Sequence, residues 1–361
     1  MEISLFCDEL WLSNPDETSH EPKQRILERC PGYSFYNTKE DCEQASIICF
    51  KKELSYIPEP GYLEYLQSNN LMNFRLKAIQ WLFKSRSRLN LCYGTVFNAA
   101  NHLDRFISMN QCHGWKCWMI ELLSVACLSV ASKFTETSAP LLQEIQLEDL
   151  EHWFESSTIR RMELTLLQTL GWHLGCVTPY SYVELLLSNV DSLESHLHNQ
   201  LTTRFTQLLL GAMLDFKLVE FRPSLIAVSA LRCCLDKLIP SSCSHLASTS
   251  LLNQFQKDDL HKCHMIMKSR MVDPLSNILV SGQLHNWPSS PVTVLVKERI
   301  DIYDSQVDLS MFKLPGSNIN TESCRKRKRY VGQETKGPEE EDGSVQDCQE
   351  TVGRFDEEAA C

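Results

Sequence analysis

At 361 residues, with 43% apolar and 22% charged side chains, the chain is long enough for two domains of ordinary size, each with its own core. Its net charge of −11 is concentrated at the ends: residues 1–45 hold ten acidic and four basic groups and residues 331–361 hold ten acidic and two basic, so the body between is close to neutral. That distribution excludes the basic face of a nucleic-acid-binding protein, and acidic ends containing Pro, Ser, Thr and Gln read as disordered.

Sixteen cysteines raise the question of disulfides. The first twelve residues carry Glu2, Asp8 and Glu9 where a secretory signal needs a basic start and an apolar run, so a reducing, intracellular setting is expected. No Cys-x-x-Cys occurs, and Cys112, His113, Cys117 and the cluster His261, Cys263, His264 lack a second ligand pair at zinc spacing. Buried or surface thiols are therefore expected, with no metal and no cofactor.

Four segments follow from the pattern: a disordered tail over 1–38, a first lobe over 39–175, a second over 176–296 and a disordered tail over 297–361. In the first tail, Leu5, Cys7 and Glu9 alternate, so an extended peptide here presents two small apolar plugs and a carboxylate on one side. From about 46 to 285 the apolar spacing is helical, with no sustained strand alternation, and the fold class is all-α. In 71–84, Leu71, Phe74, Ala78, Ile79, Trp81, Leu82 and Phe83 cover most of a helix circumference, which places that helix centrally in a bundle.

The stretch 115–134 is more apolar still, with Lys116, Glu121 and Lys133 as its charges. Its uncharged part, 122–132, is far short of the roughly 20 residues a membrane span needs, so it reads as a buried bundle helix and no membrane partner is expected. Gly175 breaks the helical pattern, Thr178 can cap, and Pro179 fits a first helical turn, which marks the lobe boundary. The segment 224–236 repeats the texture of 115–134, with Val228 and Leu231 lying 103 positions after Val125 and Leu128. This weak repetition predicts two copies of one helical lobe. Beyond the second lobe, Arg325, Lys326, Arg327, Lys328 and Arg329 form a basic run that reads as a nuclear localisation signal or as a solvated run balanced by the acidic residues 339–342.

Catalytic signatures are missing. The chain has no Gly-x-Gly-x-x-Gly, no phosphate-binding loop ending in Lys-Ser/Thr, no His-Glu-x-x-His and no Gly-x-Ser-x-Gly, and its thirteen glycines leave few loops for cradling phosphates. A non-catalytic role is expected.

The segments 74–83 (FRLKAIQWLF), 98–108 (NAANHLDRFIS), 122–136 (LLSVACLSVASKFTE), 159–172 (IRRMELTLLQTLGW) and 220–227 (EFRPSLIA) resemble successive cyclin-box helices, in order and at matching separations. With 178–181 (TPYS), 288–295 (PSSPVTVL) and the N-terminal motif, the likeness is to plant D-type cyclins. The resemblance implies two tandem five-helix lobes that bind and activate a cyclin-dependent kinase and promote the G1/S transition. It puts Lys133 and Glu163 against the kinase αC helix, with contact area from Phe134 and Glu136, while Thr135 stands where an acidic residue is common.

The same resemblance implies a docking groove for basic-hydrophobic substrate and inhibitor peptides at Phe74, Lys77, Ala78 and Trp81. Lys77 and Gln80 depart from the family pattern and would repel basic ligands, so core packing of Ala78 and Trp81 stands as an equal reading. Arg75, Asp104 and Arg105 also match, and a buried arginine–carboxylate pair holding two helices in register is the favoured reading. Leu5, Cys7 and Glu9 resemble the docking motif for retinoblastoma-type pocket proteins. The expected partners are thus a cyclin-dependent kinase, a retinoblastoma-related pocket protein and kinase inhibitor proteins. The expected place of action is the nucleus, after cytoplasmic synthesis and with shuttling. The competing class is a helical adaptor or a transcription-associated scaffold of the same fold that activates no kinase.

Overall fold

The computed structural model describes residues 38–111, 114–147, 150–188, 190, 195–238, 257–270, 300–303, 305 and 307–312. Helix α1 (Lys39–Lys52) starts at Thr38, whose hydroxyl accepts the Asp41 N–H at 3.1 Å while the Asp41 carboxylate accepts the Thr38 N–H, a reciprocal cap. A 3-10 turn, Glu53–Tyr56, and the short helix α2 (Tyr62–Ser68) lead into the first lobe.

That lobe consists of α3 (Met72–Leu89), α4 (Tyr93–Met109), α5 (Cys117–Thr135), α6 (Leu142–Ile145) and α7 (Ser156–Thr169). α5 is the centre, packed against α3, α4 and α7. By length and composition α5 could cross a bilayer, but Leu123, Val125, Ala126, Cys127, Leu128 and Ala131 are all fully buried against its neighbours. Its small side chains permit the close approach. At the end of α7, Gly171 takes φ +59°, where a Cβ is disfavoured, and the Trp172 N–H returns to the Leu167 carbonyl at 3.0 Å, closing the helix.

The second lobe opens as its sequence implies: Thr178 precedes a 3-10 turn, Pro179–Tyr182, and its N–H donates to the Ser181 hydroxyl. Then come α8 (Val183–Leu187), α9 (Ser195–Met213), a 3-10 turn at Phe216–Leu218, α10 (Pro223–Leu238) and α11 (Lys257–Arg270). α10 mirrors α5 as the central helix, packed on α9 and α11 with Ala227, Ala230 and Leu231 fully buried. The nine cysteines among the described residues are free thiols. Burial pushes the Cys233 and Cys234 thiols up to about 12, which leaves them protonated and unreactive at neutral pH.

The architecture is all-α, as the periodicity implies, with one departure. Strands β1 (His152–Phe154) and β2 (Ile300–Ile302) pair in parallel, His152 opposite Ile300 and Phe154 opposite Ile302. Each has three residues, too few for period-two alternation to register in sequence.

Within 297–361, where a tail without fixed structure is expected, residues 300–303 and 307–312 pack on the first lobe. Ile300, Ile302, Val307, Leu309 and Phe312 make this stretch apolar enough to dock, and Val307 and Phe312 are buried. The net acidity farther along the chain masks that local composition.

Candidate functional site

The end of α5 meets α7 through a pair of charges. Lys133 follows the fully buried Ser132, so its ammonium emerges where the helix leaves the core; its side chain is half exposed. Glu163 lies on α7 between the fully buried Met162 and Leu166, and its own side chain is only 11% exposed. The Lys133 ammonium donates to both Glu163 oxygens, each at 2.7 Å. Glu163 thus pairs with Lys133 rather than with Arg160, its neighbour one turn away. A pair exposed on the lysine side contributes at most about 1 kcal/mol to stability, so it is better placed to present a surface than to hold the fold.

Phe134 and Leu141 stand exposed beyond Lys133, and Trp172 beyond the end of α7, each more than half open to solvent. Leu141 and Trp172 carry no sequence signal that separates them from core residues. Thr135 accepts a hydrogen bond from the Asn98 side chain at 3.3 Å. Glu136 has a task of its own: one carboxylate oxygen accepts the Cys92 N–H at 2.8 Å and the Thr95 hydroxyl, capping the N-terminus of α4. Cys92, the residue before α4, offers no carboxylate or hydroxyl of its own, so the cap comes from 44 residues away.

A second feature lies between α3 and α5, a groove of about 410 Å³. Phe74, Lys77, Ala78, Gln80, Trp81 and Lys84 line it from α3, Cys117, Ile120, Glu121 and Ser124 from α5, and Leu150 and Glu151 from the loop before β1. Ala78 and Trp81 are buried, Phe74 is half-buried and Lys77 is exposed; Ala78 and Trp81 pack in the core and also floor the groove. Glu121 organises the far wall. Its oxygens accept the Glu151 N–H and the His152 N–H, both at 3.1 Å, and one lies 2.9 Å from His152 Nδ1. The sequence does flag this residue, since a carboxylate inside an apolar helix requires specific partners. Donor atoms of Cys117, Glu121 and Glu151 lie within 4.8 Å of one another, but the backbone N–H groups already occupy Glu121.

Arg75 and Asp104 form a buried bidentate pair between α3 and α4, at 2.7 and 2.9 Å. Arg105 is fully buried, donates to the His173 carbonyl at 3.0 Å and lies over the Tyr56 ring. Both arginines hold elements together. Leu5, Cys7 and Glu9, and the run Arg325, Lys326, Arg327, Lys328 and Arg329, lie outside the described residues.

Comparison with known proteins agrees with this geometry. Residues 46–175 match the family described as cyclin, N-terminal domain, and residues 177–280 match cyclin, C-terminal domain. A putative cyclin-D7-1 of Oryza sativa subsp. japonica is 35% identical over 271 residues, covering 74% of this chain and 76% of the relative. Cyclin-D2-2 of the same plant is 32% identical over 71% of each chain, and cyclin-D4-1 of Arabidopsis thaliana is 30% identical over 74% of this chain and 87% of the relative. With both lobes matched and relatives of this identity aligned over most of their length, the chain belongs to the cyclin family, among the D-type cyclins of plants.

Proposed function

We propose that the chain binds and activates a cyclin-dependent kinase through the Lys133–Glu163 face and directs it to retinoblastoma-type pocket proteins, promoting the G1/S transition in the nucleus. Membership of the cyclin family, whose members are regulatory subunits of kinases, supports this reading. The observation that carries the finer reading is the Lys133–Glu163 pair itself: a cation in the last turn of α5 and a carboxylate midway along α7, held 2.7 Å apart beside the exposed Phe134. In that setting Lys133 can donate to backbone carbonyls and Glu163 can accept from N–H groups of a docked αC helix. Held inward, αC lets its glutamate pair with the strand lysine that positions the ATP phosphates. Leu5, Cys7 and Glu9 tether the pocket protein and raise its effective concentration at the cleft. Arg325, Lys326, Arg327, Lys328 and Arg329 supply the nuclear signal, and the α3–α5 groove receives substrate or inhibitor peptides.

The test is a charge swap. Lys133→Glu with Glu163→Lys keeps the internal pair, so the fold should persist, yet it inverts both charges offered to the kinase. The expected result is loss of kinase co-purification and of kinase activation. A swapped variant that still activates would overturn the reading. Cys7→Gly with Glu9→Lys should leave kinase binding intact and lower phosphorylation of the pocket protein alone.

A further inference from the structure

β2 and the residues after it dock on the first lobe, although they follow the second lobe in sequence. The Ile300 N–H donates to the Glu151 carbonyl at 3.0 Å, and Arg161 of α7 donates to the Val307 carbonyl at 3.3 Å. Val307 and Phe312 are 4% and 6% exposed. The Phe312 ring meets Phe106 edge-on at 5.2 Å and Trp115 at 5.5 Å. Ile300, Tyr303 and Met311 leave their side chains exposed.

The strand it pairs with continues directly from a wall of the groove. Leu150 and Glu151 line the groove, and β1 begins at His152. Glu121 holds Glu151 and His152 from the α5 side, and β2 holds the same backbone from the other. The intervening residues 271–299 could span up to about 95 Å if extended, so chain length does not force the segment onto its seat. Among the described residues, three ladder positions, the Arg161 hydrogen bond and two buried side chains hold it, a short element of the kind that opens locally while the remainder stays folded.

We infer that β2 and residues 307–312 form a detachable clamp: this chain's own ligand for the β1 edge and for Phe106 and Trp115, whose docking fixes the outer wall of the α3–α5 groove. Clamp docking and order at the groove wall are then coupled, and by linkage each favours the other.

Hydrogen exchange on the full-length chain tests this, comparing wild type with Val307→Asp/Phe312→Asp. The variant should exchange the amides of Ile300 to Ile302, Glu151 and His152 about tenfold faster or more, with α9 and α10 unchanged. Peptide-mapped alkylation of Cys117, at the groove wall, should also accelerate. A synthetic peptide of residues 300–312 added to the variant should restore slow exchange at Glu151 and His152. Unchanged exchange and alkylation in the variant would overturn the clamp. Loss of protection throughout the chain would overturn its detachability, as would failure of the peptide to bind the variant. A wild-type dimer that the variant converts to monomer, seen by light scattering, would assign the docked segment to a second copy and overturn the reading in cis.

Discussion

Asp104 accepts three hydrogen bonds inside the first lobe: two from Arg75, and one from the Tyr62 hydroxyl at 2.8 Å. Burial alone would lower the Arg75 pKa, but the Asp104 carboxylate reverses that and drives it upward, so the guanidinium stays charged. Removing one partner of such a pair strands the other. Asp104→Ala should cost about 3–5 kcal/mol in urea or guanidinium unfolding, whereas Arg75→Met with Asp104→Leu should cost markedly less, because no buried charge is left unpaired. His102 is the opposite case. Burial, reinforced by the nearby Arg105 cation, lowers its pKa from 6.5 to about 4, and Nδ1 has no hydrogen-bond partner among the described residues. Between these values the unfolded chain binds a proton that the folded chain refuses. The stability contributed by neutral His102 is complete above pH 6.5 and is lost as pH falls toward 4, by about 3 kcal/mol in all. Denaturation at a series of pH values should show a steeper slope over that range for wild type than for His102→Gln. At this scale the sequence reveals which residues are unusual but not whom they meet. Arg75, Asp104 and Arg105 stand out as charges within apolar helices, yet the Tyr62 contact from α2 and the His173 carbonyl beyond α7 depend on how distant segments fold back, which no local spacing encodes.

Among elements, the long helices are legible because their apolar period runs over fourteen or more residues, as in α3, α5 and α7. How they begin is less legible. α4 is capped by Glu136, and α10 by Glu53, whose oxygens accept the Ser224 N–H at 2.9 Å, the Ser224 hydroxyl at 2.8 Å and the Tyr182 hydroxyl at 2.9 Å. Glu53 is fully buried, yet it sits in the sequence FKKELSY, which reads as surface. A capping signature presumes an acceptor within a few residues, and here the carboxylate comes from 171 positions away. Glu53→Ala should leave two hydroxyls and one N–H without their acceptor and cost about 2–4 kcal/mol, measured by chemical denaturation. Glu53→Gln, which keeps one carbonyl acceptor, should cost less. The docked segment around β2 is hard to see in the sequence for a related reason. Composition averaged over 297–361 is polar and acidic, and averaging hides a short apolar run whose burial needs a partner surface formed far upstream.

Across the whole molecule, the repeat between 115–134 and 224–236 foretells two lobes with α5 and α10 at their centres, but it says nothing about whether they fold separately. The structure answers through what crosses between them. The Tyr180 ring stacks on Phe97 at 5.3 Å, Arg75 donates to the Met213 carbonyl at 3.0 Å, and Glu53 binds Ser224 and Tyr182. Among the described residues, buried apolar side chains from Cys42 to Phe312 form one continuous cluster that runs through both lobes. A polar link such as Glu53 cannot be satisfied in one lobe while the other is unfolded, so opening either lobe strands buried groups in its neighbour. The lobes should therefore unfold together. Calorimetry of the full chain should give a single transition whose van't Hoff and calorimetric enthalpies agree. In Glu53→Ala, which removes the carboxylate that ties the α1 segment to α10, the transition should broaden or split as the lobes lose their coupling. Two resolved transitions already in wild type would mean that the shared core is a contact between independent domains, and the first lobe would then be separable from the second.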